Sequence, residues 1–407
     1  MTVGAKVLYI SYDGLMEPLG QSQVVCYLTK LAKHHDITLV SYEKPSEWAD
    51  RSRRDGVLAK IREAGIRWRP LLYHKRPTAL ATSYDLLAGF LVCSYLVLRR
   101  RIQIVHARSD VPSVVALALK RICGTRFIFD MRGFWADERV DGGIWPADCL
   151  LYKVAKWFER QFLTQADVVV SLTHAGVSAL RELPILKNKK PWFEVIPTCT
   201  DLERFCPASP NSADADSPAR DFTVGIVGTV VRWNLLDPAL DGFKTLCELR
   251  PGARLLIVNR SDHDYIRERL RAKGIPESSV EIKSVWYSEV PNEIRKMDMG
   301  VFFLKPGWSQ QARSPTKLGE FLGCGVPCLS NTGVGDVAQI LEGERVGVVL
   351  REFTRNGMED AVQRALALAS DPGVRTRCVK AAYRYFSLDA GVRSYDGIYH
   401  SLMKAPR

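Results

Sequence analysis

The sequence predicts an α/β protein built from two doubly wound domains, and three observations carry that expectation. Short apolar runs alternate with helical patterns through both halves, a stretch of small and turn-forming residues separates the halves, and glycines follow the first apolar run of each. At 407 residues the chain exceeds one compact core and suits two domains or three.

In the first half, Val7–Ile10, Ile37–Tyr42, Ile104–His106, Phe127–Phe129 and Val168–Leu172 read as strands, with a helix from about Gln23 to Lys33. Such alternation marks a parallel sheet wrapped by helices. The second half repeats it at Thr223–Val227, Leu255–Val258, Val280–Lys283, Gly300–Leu304, Pro327–Ser330 and Val346–Val349. Between them, Cys206 to Pro218 has nothing to bury and reads as a linker. The expected division is a first domain at 1–205, a linker at 206–221, a second domain at 222–372 and a terminal segment at 373–407. No solenoid-like repeat is found, so the domains match in architecture only.

Lys plus Arg number 57 against 45 Asp plus Glu, a formal net charge of +12, which points to anionic partners. Nucleotides, phospholipid headgroups and lipid diphosphates fit; nucleic acid ranks lower, since no RNA- or DNA-binding signature accompanies the charge. The ten cysteines are scattered singly, as reduced packing cysteines are in a cytosolic protein. Met1 leads into the first strand without a signal-peptide pattern, so a cytoplasmic location is expected. Leu86–Leu98 lacks charge but is bounded by Asp85 and Arg99-Arg100-Arg101. It is too short to span a bilayer and reads as a core helix, with a helix resting on a membrane surface as the alternative.

Doubly wound domains bind ligands at the carboxyl ends of their strands, so chemistry is sought in the loops there. After the first strand, Gly14 and Gly20 allow close backbone approach before a helix, which suits a phosphate or an ordinary glycine turn; the GxGxxG spacing is missing. After Phe129, Asp130 and Arg132 are placed to hold sugar hydroxyls or a phosphate, with Asp137 or Glu138 to orient an acceptor. The alternative is an Asp/Arg ion pair bracing the loop. His106 and Arg108 end another strand, where a lone histidine is usually structural.

In the second half, Gly228 and Thr229 follow a strand and Arg232 stands close behind, a setting for a diphosphate or a plain turn with a surface arginine. The richest segment is Ser314-Pro315-Thr316-Lys317-Leu318-Gly319-Glu320. It reads as a helix start whose free N–H groups and Lys317 attract phosphate, with Glu320 placed to accept from two neighbouring hydroxyls. Phosphate and diol together describe a nucleoside diphosphate with its ribose; the alternative is a capped helix with a solvated Lys/Glu pair. Asp214-Ala215-Asp216 lies in the linker and Asp262-His263-Asp264 opens a helix, where capping accounts for the acids. Neither makes a convincing metal site, and Lys317, Arg232 and Arg313 can supply the positive charge instead.

The chain resembles the GT-B glycosyltransferases of family 4 over nearly its whole length. The likeness rests on Gly14–Gln23, Phe129–Trp135, Ile196–Asp201, Ser314–Lys317 and Gly319–Pro327. It implies two Rossmann-like domains facing across a cleft, a UDP- or GDP-sugar donor held by the second domain, and retaining transfer without metal or other cofactor. The acceptor hydroxyl would bind the first domain, and a last helix, about Gly373 to Met403, would return to brace it. Glu320 matches the ribose-binding glutamate of the family motif, and Ser314, Pro315 and Thr316 the turn that meets the diphosphate. Ala312 stands where the first motif glutamate is expected, leaving Gln310, Gln311 or Arg313 as sugar contacts. Asp130 and Arg132 replace a common catalytic histidine, and Arg232 is offset from the usual phosphate arginine. Catalysis is expected from Asp130, Arg132 and Lys317, with Gly20, Gly228, Thr229, Arg232, Arg313, Ser314, Pro315, Thr316, Lys317 and Glu320 as donor contacts.

Family members often assemble surface polysaccharides on lipid carriers, which implies a lipid-linked or glycan acceptor at the inner face of the plasma membrane. Lys153, Lys156 and Arg160 share a helical face near Trp157, Phe158 and Phe162, as either an anionic-membrane contact or a solvated basic face. Two other functions remain: a nucleotide-sugar epimerase on the same architecture, and a nucleotide-binding protein without transfer activity.

Overall fold

The computed structural model describes residues 4–74, 76–189, 191–208 and 221–405. Most of the expected linker, including Asp214 and Asp216, lies outside the described residues. The chain divides into two compact units, Met1–Pro197 with Leu388–Arg407, and Thr198–Ser387.

The first unit holds a seven-stranded parallel sheet in the order β3-β2-β1-β4-β5-β6-β7. Its strands are β1 Lys6–Ser11, β2 Asp36–Glu43, β3 Arg67–Leu72, β4 Ile104–Arg108, β5 Arg126–Asp130, β6 Val168–Ser171 and β7 Phe193–Val195. The central strands are apolar in runs because helices cover both faces, so Val7, Leu8 and Ile10 are all buried. The sequence reading omits β3 and β7. β3 is mostly exposed, carries Arg67, Arg69 and Pro70, and pairs only at the sheet edge; β7 is three residues long. The register sets Ser11 beside Arg108 and Arg108 beside Asp130 at the carboxyl ends of the central strands. β1 and β4 flank the topological switch point.

The expected Gln23–Lys33 helix begins earlier, at Pro18, and runs to Leu31 with a π-type stretch at Gln21–Val25. Leu86–Leu98 belongs to a longer helix, Thr78–Arg100, and it is not a core helix. Leu80, Tyr84, Leu87, Leu91, Tyr95 and Leu98 are all exposed on it.

The second unit holds a six-stranded parallel sheet, β10-β9-β8-β11-β12-β13. Its strands are β8 Thr223–Val227, β9 Arg254–Val258, β10 Val280–Lys283, β11 Met299–Val301, β12 Cys328–Asn331 and β13 Gly347–Leu350. The switch point lies between β8 and β11. Close packing fixes the helix Thr316–Gly323 above it. A Cβ on Gly300 would stand 2.7 Å from the Phe321 ring, and one on Gly319 2.5 Å from Thr200 Oγ1, so only glycine lets the helix settle there. The Val374–Phe386 helix packs against it. Chain return therefore begins at Leu388 rather than near Gly373: Val374–Phe386 stays with the second unit and only Leu388–Lys404 joins the first.

Candidate functional site

In the second unit, β8 is followed directly by Gly228, whose φ of +89° is open to glycine without strain. The turn is held in place by its own backbone: Gly228 N–H donates to the Val258 carbonyl, and its carbonyl accepts from Asn259 Nδ2 at 3.0 Å. With no side chain there, Lys317 reaches the turn; a Cβ on Gly228 would lie 3.8 Å from Lys317 Nζ. The ammonium donates to Asn234 Oδ1 at 3.0 Å, and Asn234 Nδ2 donates to Thr229 Oγ1 at 3.1 Å. The structure thus brings Gly228, Thr229 and Lys317 together through Asn234, which the sequence reading missed. A neutral amide in a strand-end loop gives little signal by itself.

Burial pushes the Lys317 ammonium down to about 8; Glu320 pulls it back and Arg313 adds to the depression. Burial likewise raises Glu320 to about 7, against a hydrogen bond from Tyr287 and the charge of Lys317. Lysine held by a neutral amide, at a helix N-terminus that no side chain caps, forms an anion-seeking corner. Glu320 lies one turn on, buried and positioned by Tyr287.

The remaining predicted donor residues fall into two groups. Arg232 is exposed on the same turn, at φ +64°, and Arg313 lies over the Trp233 ring at 5.4 Å. Ser314 is differently occupied: Thr198 Oγ1 donates to its carbonyl at 2.7 Å and lies 2.9 Å from its hydroxyl. Those atoms hold the turn, with Pro315 as the helix N-cap and Thr316 as its first residue. Ala312 is fully buried, and so is Gln310, whose Oε1 has no hydrogen-bond partner among the described residues.

The first unit gives Asp130 a different setting. It is 1% exposed, 3.4 Å from both Arg132 Nη1 and His106 Nε2, while His106 Nδ1 meets the Tyr399 hydroxyl at 2.7 Å. Burial opposes ionisation, yet Arg132, His106 and Arg108 hold the Asp130 carboxyl well below the usual range. Burial keeps His106 neutral by lowering its pKa. Asp130 is therefore an interior ion-pair partner, the bracing alternative, and its carboxylate is not presented at a surface. Arg132 also reaches Gln23 Oε1 at 3.4 Å. Asp137 is bound by Tyr152 and Lys156, which also takes Glu159, so Lys156 is not free for an anionic surface.

Gly20 packs closely: a Cβ there would stand 2.1 Å from the Gly14 carbonyl oxygen, so the helix that starts at Pro18 needs a glycine at this point. Asp262 begins its helix as expected but makes no side-chain cap; its carboxylate accepts from Asn259 Nδ2 at 3.1 Å. Sequence reading also missed a group distant in the chain, His35, Asp396 and His400, whose ligand-type atoms lie within 4.8 Å of one another. His35 Nδ1 accepts from Ala5 N–H, which puts its proton on Nε2 toward Asp396 at 2.9 Å. That nitrogen is a donor, so the group ties the terminal helix to the residue before β1 and does not offer a lone pair to a metal.

Residues 23–190 match the glycosyl transferase 4-like domain family. A GDP-mannose-dependent monoacylated alpha-(1-6)-phosphatidylinositol monomannoside mannosyltransferase of Corynebacterium glutamicum is 25% identical over 223 residues, 51% of this chain and 56% of that protein. The match thus spans about half of each. Among solved structures, sucrose-phosphate synthase from Thermosynechococcus elongatus superposes with a TM-score of 0.74 at 14% identity, covering 99% of this chain and 100% of that one. Anabaena HepE in complex with UDP gives 0.67 at 13%, covering 97% and 100%. These likenesses establish the fold: two Rossmann-like units of the GT-B type.

Proposed function

We propose, from its likeness to the glycosyltransferases of family 4, that the chain moves a sugar from a nucleoside diphosphate sugar to an acceptor hydroxyl, with retention of configuration. The observation that carries the proposal is Lys317, held by Asn234 beside the side-chain-free Gly228 turn, with Glu320 one helical turn away. The diphosphate lies against Gly228, Thr229 and the helix start, where Lys317, Arg232 and Arg313 stabilise charge as the leaving group departs. Glu320 accepts from the ribose hydroxyls. The adjacent Trp286, exposed with Arg260 over its ring at 5.2 Å, offers a stacking surface for the base. The buried Gln310 replaces the missing glutamate at Ala312 as a contact for the sugar.

UDP and GDP are both reasonable donor nucleotides, since a relative's name specifies GDP-mannose and HepE was solved with UDP. No metal or other cofactor is assigned a role. The acceptor is a lipid-linked or glycan hydroxyl reached at the inner face of an anionic membrane, a reading supported by the net charge of +12 and the lipid acceptor in that relative's name. Asp130, paired with Arg132 and His106, braces the 131–134 loop.

Thermal shift with UDP, GDP and their sugars tests the donor site, because a ligand of the folded state raises the melting temperature. Stabilisation by one nucleotide, lost in Lys317→Ala, is expected; no shift with any of them refutes the site. Free epimerised nucleotide sugar formed without acceptor would favour an epimerase instead.

A further inference from the structure

The helix Thr78–Arg100 contradicts the ordinary logic of a surface helix. Its outward edge carries Leu80, Tyr84, Leu87, Leu91, Tyr95 and Leu98, each between 59% and 72% exposed. Their spacing of three and four residues places them on one side, along about 27 Å of helix. The stretch Ala79–Arg100 is long and apolar enough to cross a membrane, yet only 33% of its most apolar 18 residues are buried.

The opposite edge is firmly attached. Ala81, Asp85, Cys93, Leu96 and Val97 are buried, and Gly89 lets the Tyr42 hydroxyl approach and donate to the Asp85 carbonyl at 2.8 Å. The Asp85 carboxylate takes the Tyr12 hydroxyl at 2.9 Å and His74 Nδ1 at 2.6 Å. A helix pinned this way keeps its apolar edge pointing outward and does not leave the unit to cross a bilayer.

Charge identifies the occupant. Asp85 is the sole acid in the helix and is buried, so the outer face carries no negative charge. Arg76 stands before it and Arg99 and Arg101 at its end, all exposed. In a pairing with a second copy, parallel helices would set these end arginines against each other, and antiparallel ones would set them against Arg76. An anionic bilayer accepts both the apolar edge and the arginines.

We infer that the Thr78–Arg100 helix docks this protein on an anionic membrane, lying along the surface with its leucines and tyrosines at the acyl boundary and Arg99 and Arg101 among the headgroups. The Leu150–Gln165 helix packs on the same Asp110–Cys123 helix as Thr78–Arg100 does, and it also exposes apolar and basic side chains, Leu150, Val154 and Trp157 with Lys153 and Arg160. The inference rests on the proposed function only in placing the acceptor at that surface, and it moves the main contact from the Lys156 face to a neighbouring helix.

The test is flotation of the full chain with vesicles of phosphatidylcholine alone or mixed with phosphatidylglycerol, at low and high salt. Wild type should float with the anionic vesicles and partly detach in salt. Leu87→Glu with Leu91→Glu should lose on the order of a hundredfold in partitioning, and Arg99→Gln with Arg101→Asn roughly tenfold on anionic vesicles only. Both variants change exposed side chains, and an unaltered melting temperature in buffer shows that they fold. Absence of wild-type flotation at low salt, or unchanged flotation of the double leucine variant, overturns the inference. So does concentration-dependent dimerisation abolished by that variant, which would identify a second copy as the occupant. Nucleotide-induced thermal shift, measured without lipid, reports separately on the donor site, so either reading can fail while the other stands.

Discussion

Asp130 closes β5 and Lys317 stands in the first turn of the Thr316–Gly323 helix, each near the carboxyl edge of its parallel sheet, yet the structure treats the two charges in opposite ways. Asp130 is surrounded by Arg132, His106 and Arg108, and its ionised form is secured. Lys317 is desolvated and held by the neutral amide of Asn234, so its ionised form is weakened. A charge compensated within its own unit braces the fold; one left short of compensation is available to a ligand of opposite sign.

The most damaging test of this contrast is Asp130→Asn. It leaves the Arg132 guanidinium largely buried without its counter-charge and should cost about 3–5 kcal/mol of stability. Chemical denaturation measures this, and a loss below about 1 kcal/mol would show that the pair is not structural. Lys317→Ala should instead leave the melting temperature near wild type. It should lower kcat/KM by about two to three orders of magnitude, as expected when a donor to developing charge is removed.

Glu320→Gln keeps the shape and removes the charge, and should weaken nucleotide affinity by roughly 1.5–3 kcal/mol; titration calorimetry with UDP and GDP would read it. Equal loss for a ligand lacking ribose would break the diol assignment.

Proton linkage sharpens the comparison further. Lys317 is charged below about 8, so diphosphate affinity should fall as pH rises through that value, by up to about tenfold per unit, and Lys317→Met should abolish the trend. The first unit answers in the opposite pH range. Burial depresses both His106 and His35, so the unfolded chain binds protons first as pH falls below about 6.5. Stability is thus fullest above that value and is lost on acidification; a flat melting temperature between about pH 7.5 and 5.5 would contradict it. The smallest effect belongs to Gln310→Ala, about 1 kcal/mol in discrimination among donor sugars with the nucleotide affinity unchanged.

The same contrast explains what was readable. Apolar runs, glycines and the Ser314–Glu320 spacing are local, and they located the central strands, both units and Lys317 with Glu320. Partnership is not local. Asn234 lies 83 residues from Lys317, and Tyr399 lies 293 from His106, so no spacing rule could join them. The Asp130 loop showed which groups were present but not that they face inward. Gly20 and Gly228 look alike as letters; the Gly14 carbonyl beside one and the positive φ of the other separate them.

By itself, then, the order of residues determined the alternation of strands and helices and the charge carried to each strand end, because those follow from local propensity and hydrophobic period. Tertiary structure decided which charges are neutralised and which apolar faces stay open. Leu87 and Leu91 belong to a run that fits a core helix equally well, and only packing along the Asp85–Gly89 edge turns them to the outside. Burial and compensation depend on neighbours brought from far along the chain, and periodicity carries no record of them.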